Sequence, residues 1–167
     1  MTGFETRCFV LESALAVMAA RSRRGGSGTR RAEWWIVLKD RDAILETSWQ
    51  IQSGAEGDRY AIEVLARRIA LADGYPHAEA MRFAYAASEL ASNLALHGGG
   101  GTLTIAAESH ALTIEARNES GNGFCSRAGA GVGLEAVSRA MDEVKLIEDG
   151  GTLVVRARRV SNYIVKC

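Results

Sequence analysis

Ala87-Ser88-Glu89-Leu90-Ala91-Ser92-Asn93-Leu94-Ala95-Leu96-His97-Gly98-Gly99-Gly100-Gly101 is the stretch from which the rest of the chain can be read. Alanine and leucine favour a helix up to His97, and four consecutive glycines then stop it. Read backwards to His77, the segment places Phe83, Ala87, Leu90 and Leu94 on one apolar stripe, which predicts a helix over His77–His97. Glu89 and Asn93 are four residues apart, so both project from one side of that helix, displaced from the stripe. His97 extends their row by one turn. A carboxylate beside an amide oxygen suits a divalent-metal nucleotide site. The amide oxygen ligates Mg²⁺ without adding charge, and the carboxylate can take a proton from an attacking hydroxyl. Taken alone, the pair reads first as a solvent-facing polar stripe.

Downstream, Thr102–Ala107 and Ala111–Ala116 alternate with period two around the turn-prone Glu108-Ser109-His110. A glycine-rich, irregular stretch covers Asn118–Gly133, followed by a helix over Leu134–Asp142. A strand over Val144–Ile147, the turn Asp149-Gly150-Gly151 and a strand over Leu153–Ala157 complete the pattern. Upstream, Asp58 can cap a helix running to about Ala72, with Ala61, Leu65, Ile69 and Ala72 on one face and a Glu63–Arg67 pair. Gly74 ends that helix and Pro76 prevents its continuation. Before it, Ile44–Gln52 alternates Leu45, Thr47, Trp49 and Ile51 against Glu46, Ser48, Gln50 and Gln52, and Trp34–Leu38 is its hairpin partner. The order β, α, α, β, β, loop, α, β, β predicts an α+β two-layer sandwich. Its sheet is expected to be mixed but mostly antiparallel, covered on one face by about three helices.

The 167 residues suit one domain with an extension. The boundary is expected at residue 43: residues 1–43 form an extension with a short helix over Leu11–Ala20, the arginine- and glycine-rich linker 21–31 and an extra strand, and residues 44–167 form the domain. A hydrophobic content of 47% excludes wholesale disorder, and a formal net charge of zero disfavours a general nucleic-acid binder. No apolar run approaches the roughly 20 residues that span a bilayer. Cys8–Ala20, the nearest candidate, carries Glu12 and has its arginines on the wrong side for a signal peptide. Cys8, Cys125 and Cys167 are odd in number and far apart, so they make neither a disulfide framework nor a CxxC metal pair. A soluble, cytoplasmic protein with no membrane contact is the expectation.

A second feature is Glu119-Ser120-Gly121-Asn122-Gly123, followed by Gly129-Ala130-Gly131-Val132-Gly133 at the start of a helix. Glycines let a backbone approach a ligand, and helix-start amides donate to phosphate oxygens; a surface loop explains the same glycines equally well. A P-loop is excluded because the chain has no Gly-Lys dipeptide. A dinucleotide fingerprint through Gly131, Gly133 and Ala136 fails because no strand precedes it.

The order of these features is more specific than any one of them. A helix with E-x-x-x-N, two strands, an acidic-x-G-x-G, then G-x-G-x-G opening a helix, then Gly-Thr before the last strand resembles the histidine kinase-like (GHKL, Bergerat-fold) ATPases. The text Gly133-Leu-Glu-Ala-Val-Ser-Arg-Ala-Met-Asp-Glu143 extends the likeness, which runs from about residue 44 to 159 and is strongest to the small anti-sigma-factor and stressosome switch serine kinases. The resemblance implies a Bergerat fold, ATP and Mg²⁺ as ligands, and serine/threonine protein kinase activity toward a STAS-type anti-anti-sigma or scaffold partner. Some relatives also sequester a sigma factor, and free-standing members often dimerise. It implies Glu89 as general base, Asn93 as the magnesium ligand and Glu119 as the acceptor of the adenine amino group. Gly121 and Gly123 would seat the adenine, Gly129, Gly131 and Gly133 would line the phosphates, and Thr152 would stand near the adenine end. Two positions depart from the family pattern. Glu119 replaces an aspartate, one methylene longer, and Asn122 stands where proline is common, with Asn118 able to share the recognition. An alternative expectation is therefore a non-catalytic, nucleotide-responsive module that sequesters a sigma factor or scaffold. A split histidine kinase is a third.

Overall fold

The computed structural model describes residues 34–39, 44–52, 58–97, 99–108, 111–118, 130–149 and 152–160. Six strands and three helices follow one another as β1 (Trp34–Lys39), β2 (Ile44–Gln52), α1 (Asp58–Ala72), α2 (His77–Leu96), β3 (Gly100–Glu108), β4 (Ala111–Asn118), α3 (Ala130–Ala140), β5 (Glu143–Asp149) and β6 (Thr152–Val160). The strands form one sheet in the order β1-β2-β3-β4-β6-β5. All five described pairings are antiparallel, so the parallel component of a mixed sheet is not found among the described residues. The class is α+β, as the element order predicts. The expected hairpin of Trp34–Leu38 with Ile44–Gln52 is present, with Trp34 opposite Trp49 and Leu38 opposite Leu45. The boundary drawn at residue 43 thus falls between the two strands of one hairpin. Residues 1–33, including the expected Leu11–Ala20 helix and the linker, lie outside the described residues.

Alternation sorts the sheet into two faces. Ile51, Leu103, Ile105, Leu112, Ile114, Ala116, Val155 and Ala157 are buried against the helices. On the other face Thr104, Thr113, Glu115, Lys145, Arg156 and Arg158 line an open groove of about 480 Å³. There Arg156 donates twice to Glu115 Oε2, at 3.1 and 2.6 Å, Lys145 pairs with Glu143 at 2.6 Å, and Ser48 and Thr104 share a 2.8 Å hydroxyl bond. Charges at these positions cannot be buried under a second apolar layer without large cost, so the sheet is built to have one wet face.

Helix α2 is central. Ala80, Ala84, Ala86, Ala87, Ala91 and Ala95 are buried along it, together with Phe83, Leu90 and Leu94. The alanines let α1 and α3 approach its axis on either side, while the three larger side chains supply burial worth about 2–3 kcal/mol each. Helix α1 buries Ile62, Leu65, Ala66, Ile69 and Ala70, so its apolar face is rotated from the expected one, leaving Ala61 and Ala72 at its margin. No Glu63–Arg67 ion pair forms. The Arg67 guanidinium turns instead to the Met81 sulfur across the helix pair, at 3.8 Å. Gly74, with φ +87°, ends α1 in a Schellman turn: Tyr75 N donates to Ala70 O at 3.0 Å and Gly74 N to Leu71 O at 3.1 Å.

The main correction concerns α3. It begins at Ala130, four residues before the expected Leu134, and ends at Ala140, before Asp142. Gly131 and Gly133 are therefore helical residues. Packing against α2 supplies what glycine's poor helix propensity withholds. Asp142 is taken out of the helix by the sheet. Its backbone N–H donates to Arg158 O at 3.0 Å, and its carboxylate accepts from Val160 N and from Arg159, both at 2.8 Å.

A candidate nucleotide site at one end of the sheet

Glu89 and Asn93 lie one turn apart on α2, and Asn93 meets α3 at Gly133. Glu89 is half-buried, and among the described residues it has neither a hydrogen bond nor an ion pair. Asn93 is buried. Its Nδ2 has no hydrogen-bond partner, one of only two buried side-chain polar atoms so left among the described residues. An orphaned buried amide costs about 1–3 kcal/mol, so it marks a position where a partner is missing or where stability has been surrendered. The expected pairing of the two residues on one side of the helix is present. The sequence did not show that one member is enclosed.

What encloses it is α3. A Cβ placed on Gly133 would lie 2.9 Å from Asn93 Nδ2 and 3.0 Å from its Oδ1. Gly133 is thus needed for the approach of the two helices at Asn93. Glycine at this position was expected for phosphate access, and the structure adds a packing requirement that no spacing rule contains. Gly131 lies one half-turn earlier in the same first turns of α3.

The connection continues into the sheet. Leu94, the next residue of α2, packs on Gly101, whose φ of +148° and close approach to Arg117 O, 2.1 Å from a would-be Cβ, exclude any side chain. Arg117 leads to Asn118, the last residue of β4. Asn118 is fully buried, hydrogen-bonded and opposite Leu153 of β6. Thr152 opens β6 beside it, paired with Asp149. Asn93, Gly133, Asn118 and Thr152 therefore gather at the same end of the sheet although they are spread over two helices and two strands. Within that group, alternation along β6 places Thr152 with Val154 and Arg156, on the face away from Leu153 and Val155. Glu119, Gly121, Gly123 and Gly129 lie outside the described residues.

The donor set fits a nucleotide's magnesium ion in one specific way. Among the described residues no three His, Cys, Asp or Glu side chains cluster, so an ion here would take one protein oxygen, from Asn93, and the rest of its shell from phosphate and water. A half-turn of the Asn93 amide presents its oxygen where its unpaired nitrogen now stands. No protein-family model and no curated protein matches this chain.

Proposed function

We propose that this chain is a histidine kinase-like, Bergerat-fold ATPase that acts as a serine/threonine protein kinase, or anti-sigma regulatory factor, in bacterial partner switching. Its acceptor is a serine or threonine on a STAS-type partner. The observation that carries the reading is the buried, unpaired amide of Asn93, one turn from a half-buried carboxylate without a partner and against the glycine-containing first turns of a helix. That combination is poor design for a purely structural helix pair and suits a ligand whose phosphates and metal complete the site.

Glu89 would accept the proton of the attacking hydroxyl as its oxygen bonds to the γ-phosphorus and the bond from that phosphorus to the β–γ bridging oxygen breaks, with ADP as the leaving group. Asn93 would fix the metal, and the α3 N–H groups would face the phosphate oxygens. Bound Mg²⁺ would supply charge neutralisation across the phosphates. The protein's own contribution is alignment and exclusion of water, the two terms that dominate phosphoryl transfer.

The test is calorimetric titration with ATP and ADP, with and without Mg²⁺, on the protein and Asn93→Ala, followed by γ-phosphate transfer to a STAS-domain acceptor. Magnesium-dependent binding lost in Asn93→Ala is expected. Glu89→Ala should keep nucleotide binding while transfer falls by about 10²-fold or more. Absence of binding at millimolar nucleotide would overturn the reading. Nucleotide binding with stoichiometric capture of a partner and no transfer would favour the non-catalytic module, to which Glu119 in the aspartate position points.

A further inference from the structure

The register carries the helix-covered face of the sheet one strand further than the helices go. Leu103, Ile105 and Ala107 of β3 are buried on that face. Trp49, Thr47 and Leu45 of β2 stand opposite them, and Trp34, Ile36 and Leu38 of β1 stand opposite those in turn. Antiparallel partners share a face, so the three rows run on to the edge of the sheet with five apolar residues in six positions. The helix layer does not follow them. Helix α3 packs on β5, α2 on β2, β3 and β4, and α1 on α2 and β3. Among the described residues no helix lies across β1 to more than a marginal extent. The chain just ahead of β1 holds the complementary feature. Cys8–Ala20 has Glu12 as its one charge and Ser13 as its one hydroxyl, and Leu11, Leu15 and Met18 fall on one side of the helix expected there. A helix that is apolar nearly all round has to be covered, and thirteen residues are too few to span a bilayer.

We infer that Cys8–Ala20 folds back as a fourth helix and covers the β1–β2 end of this face. The dimensions agree. A helix over Leu11–Ala20, or over the whole of Cys8–Ala20, is about 15–20 Å long, and the six residues of β1 extend about 20 Å. At about 10 Å across, such a helix covers two strands about 4.8 Å apart. Residues 21–33 can reach about 40 Å, ample for a return from Trp34, and their five arginines keep them in water. The tether holds the segment near the face at an effective concentration of about 1 mM, which disfavours a second copy of this chain as the occupant. An interfacial membrane helix is disfavoured because it would carry basic residues on a polar face, and Cys8–Ala20 has none.

The proposal is independent of nucleotide binding, and its experiment uses the full chain. A nitroxide is attached at Ser13→Cys, on the side of the helix away from Leu11 and Leu15, with Cys8→Ala, Cys125→Ser and Cys167→Ser removing the other thiols. Amide signals of residues 34–38 and 45–49 should broaden while those of β5 stay sharp. The broadening should vanish when isotope-labelled chains without nitroxide are mixed with unlabelled chains that carry it. In a Trp35→Phe background the remaining tryptophans, Trp34 and Trp49, both belong to the covered face. There Leu11→Lys/Leu15→Lys should shift their emission to the red and raise acrylamide quenching by about twofold or more. The nitroxide measurement stands even if the lysine variant does not fold. No broadening at β1 and β2, broadening in the mixed sample, or broadening only with phosphatidylcholine–phosphatidylglycerol vesicles present would each overturn the inference. So would unchanged quenching in a folded lysine variant.

Discussion

Asn93 and Gly133 hold the clearest tension between stability and function at the scale of single residues. An alanine at position 133 gains about 1 kcal/mol of helix propensity but collides with the Asn93 amide, at a cost of about 1–3 kcal/mol. Gly133→Ala should therefore be neutral to destabilising in the natural background and stabilising by about 1 kcal/mol in Asn93→Ala, a sign change that a double-mutant cycle in urea will show. Asn93→Ala alone removes an orphaned buried amide, so the ligand-free protein should lose little stability or gain some. A loss above about 2 kcal/mol would make Asn93 a packing residue. Tyr75 gives a pH signature. Burial first, then the Asp73 and Asp142 carboxylates, push its hydroxyl up to about 12 from 10.0. The folded state thus holds its proton while the unfolded chain loses it. The stabilisation is complete below pH 10.0 and is lost as pH rises toward about 12. The hydroxyl also donates to Arg159 O at 3.2 Å, a bond the phenolate cannot make. Tyr75→Phe should cost about 1 kcal/mol at neutral pH and flatten the alkaline unfolding curve across that window.

Among the elements, the end of the sheet opposite the candidate site is tied by Arg159. Its guanidinium bonds Glu79 in the first turn of α2 and Asp142 between α3 and β5, and reaches Ala140 O at 3.4 Å. Arg159 and Glu79 are both mostly buried, so removing one partner leaves a poorly solvated charge. Glu79→Ala should lower stability by about 2–4 kcal/mol, well beyond what the exposed Arg139–Glu135 pair contributes, whose loss should cost under about 1 kcal/mol. Thermal unfolding of the two variants side by side decides this. Element types and most boundaries were legible because period-two and period-3.6 patterns are written locally, as Ile44–Gln52 and His77–Leu96 show. The early start of α3 was not legible. Two glycines in its first turns argue against a helix locally, and only the neighbouring surface of α2 outweighs them. Arg67 likewise satisfies the i,i+4 rule with Glu63 in sequence and ignores it in space, because a methionine on another helix is within reach.

In the whole molecule, one apolar layer lies between three helices and the inner face of the sheet, and the other face is left charged and wet. Strand β1 is an edge strand, paired with β2 alone among the described residues. Deleting residues 1–43 should therefore leave a cooperatively folded protein of lower thermal stability, with β2 as its new edge. Loss of cooperative unfolding would mean that the core extends further toward the N-terminus.

The sequence by itself determined the α+β class, the positions of the described elements apart from the bounds of α3, and the E-x-x-x-N row, because each depends on residues within a few turns of one another. It also supplied the ordered glycine boxes on which the kinase reading rests. Tertiary structure alone decided that Asn93 is enclosed and unpaired, that Gly133 is there to admit it, and that Gly101, Asn118 and Thr152 share its end of the sheet. These are contacts between segments that only packing brings together. No local period encodes the distance from one helix to the next, which is set by the size of the side chains where they meet.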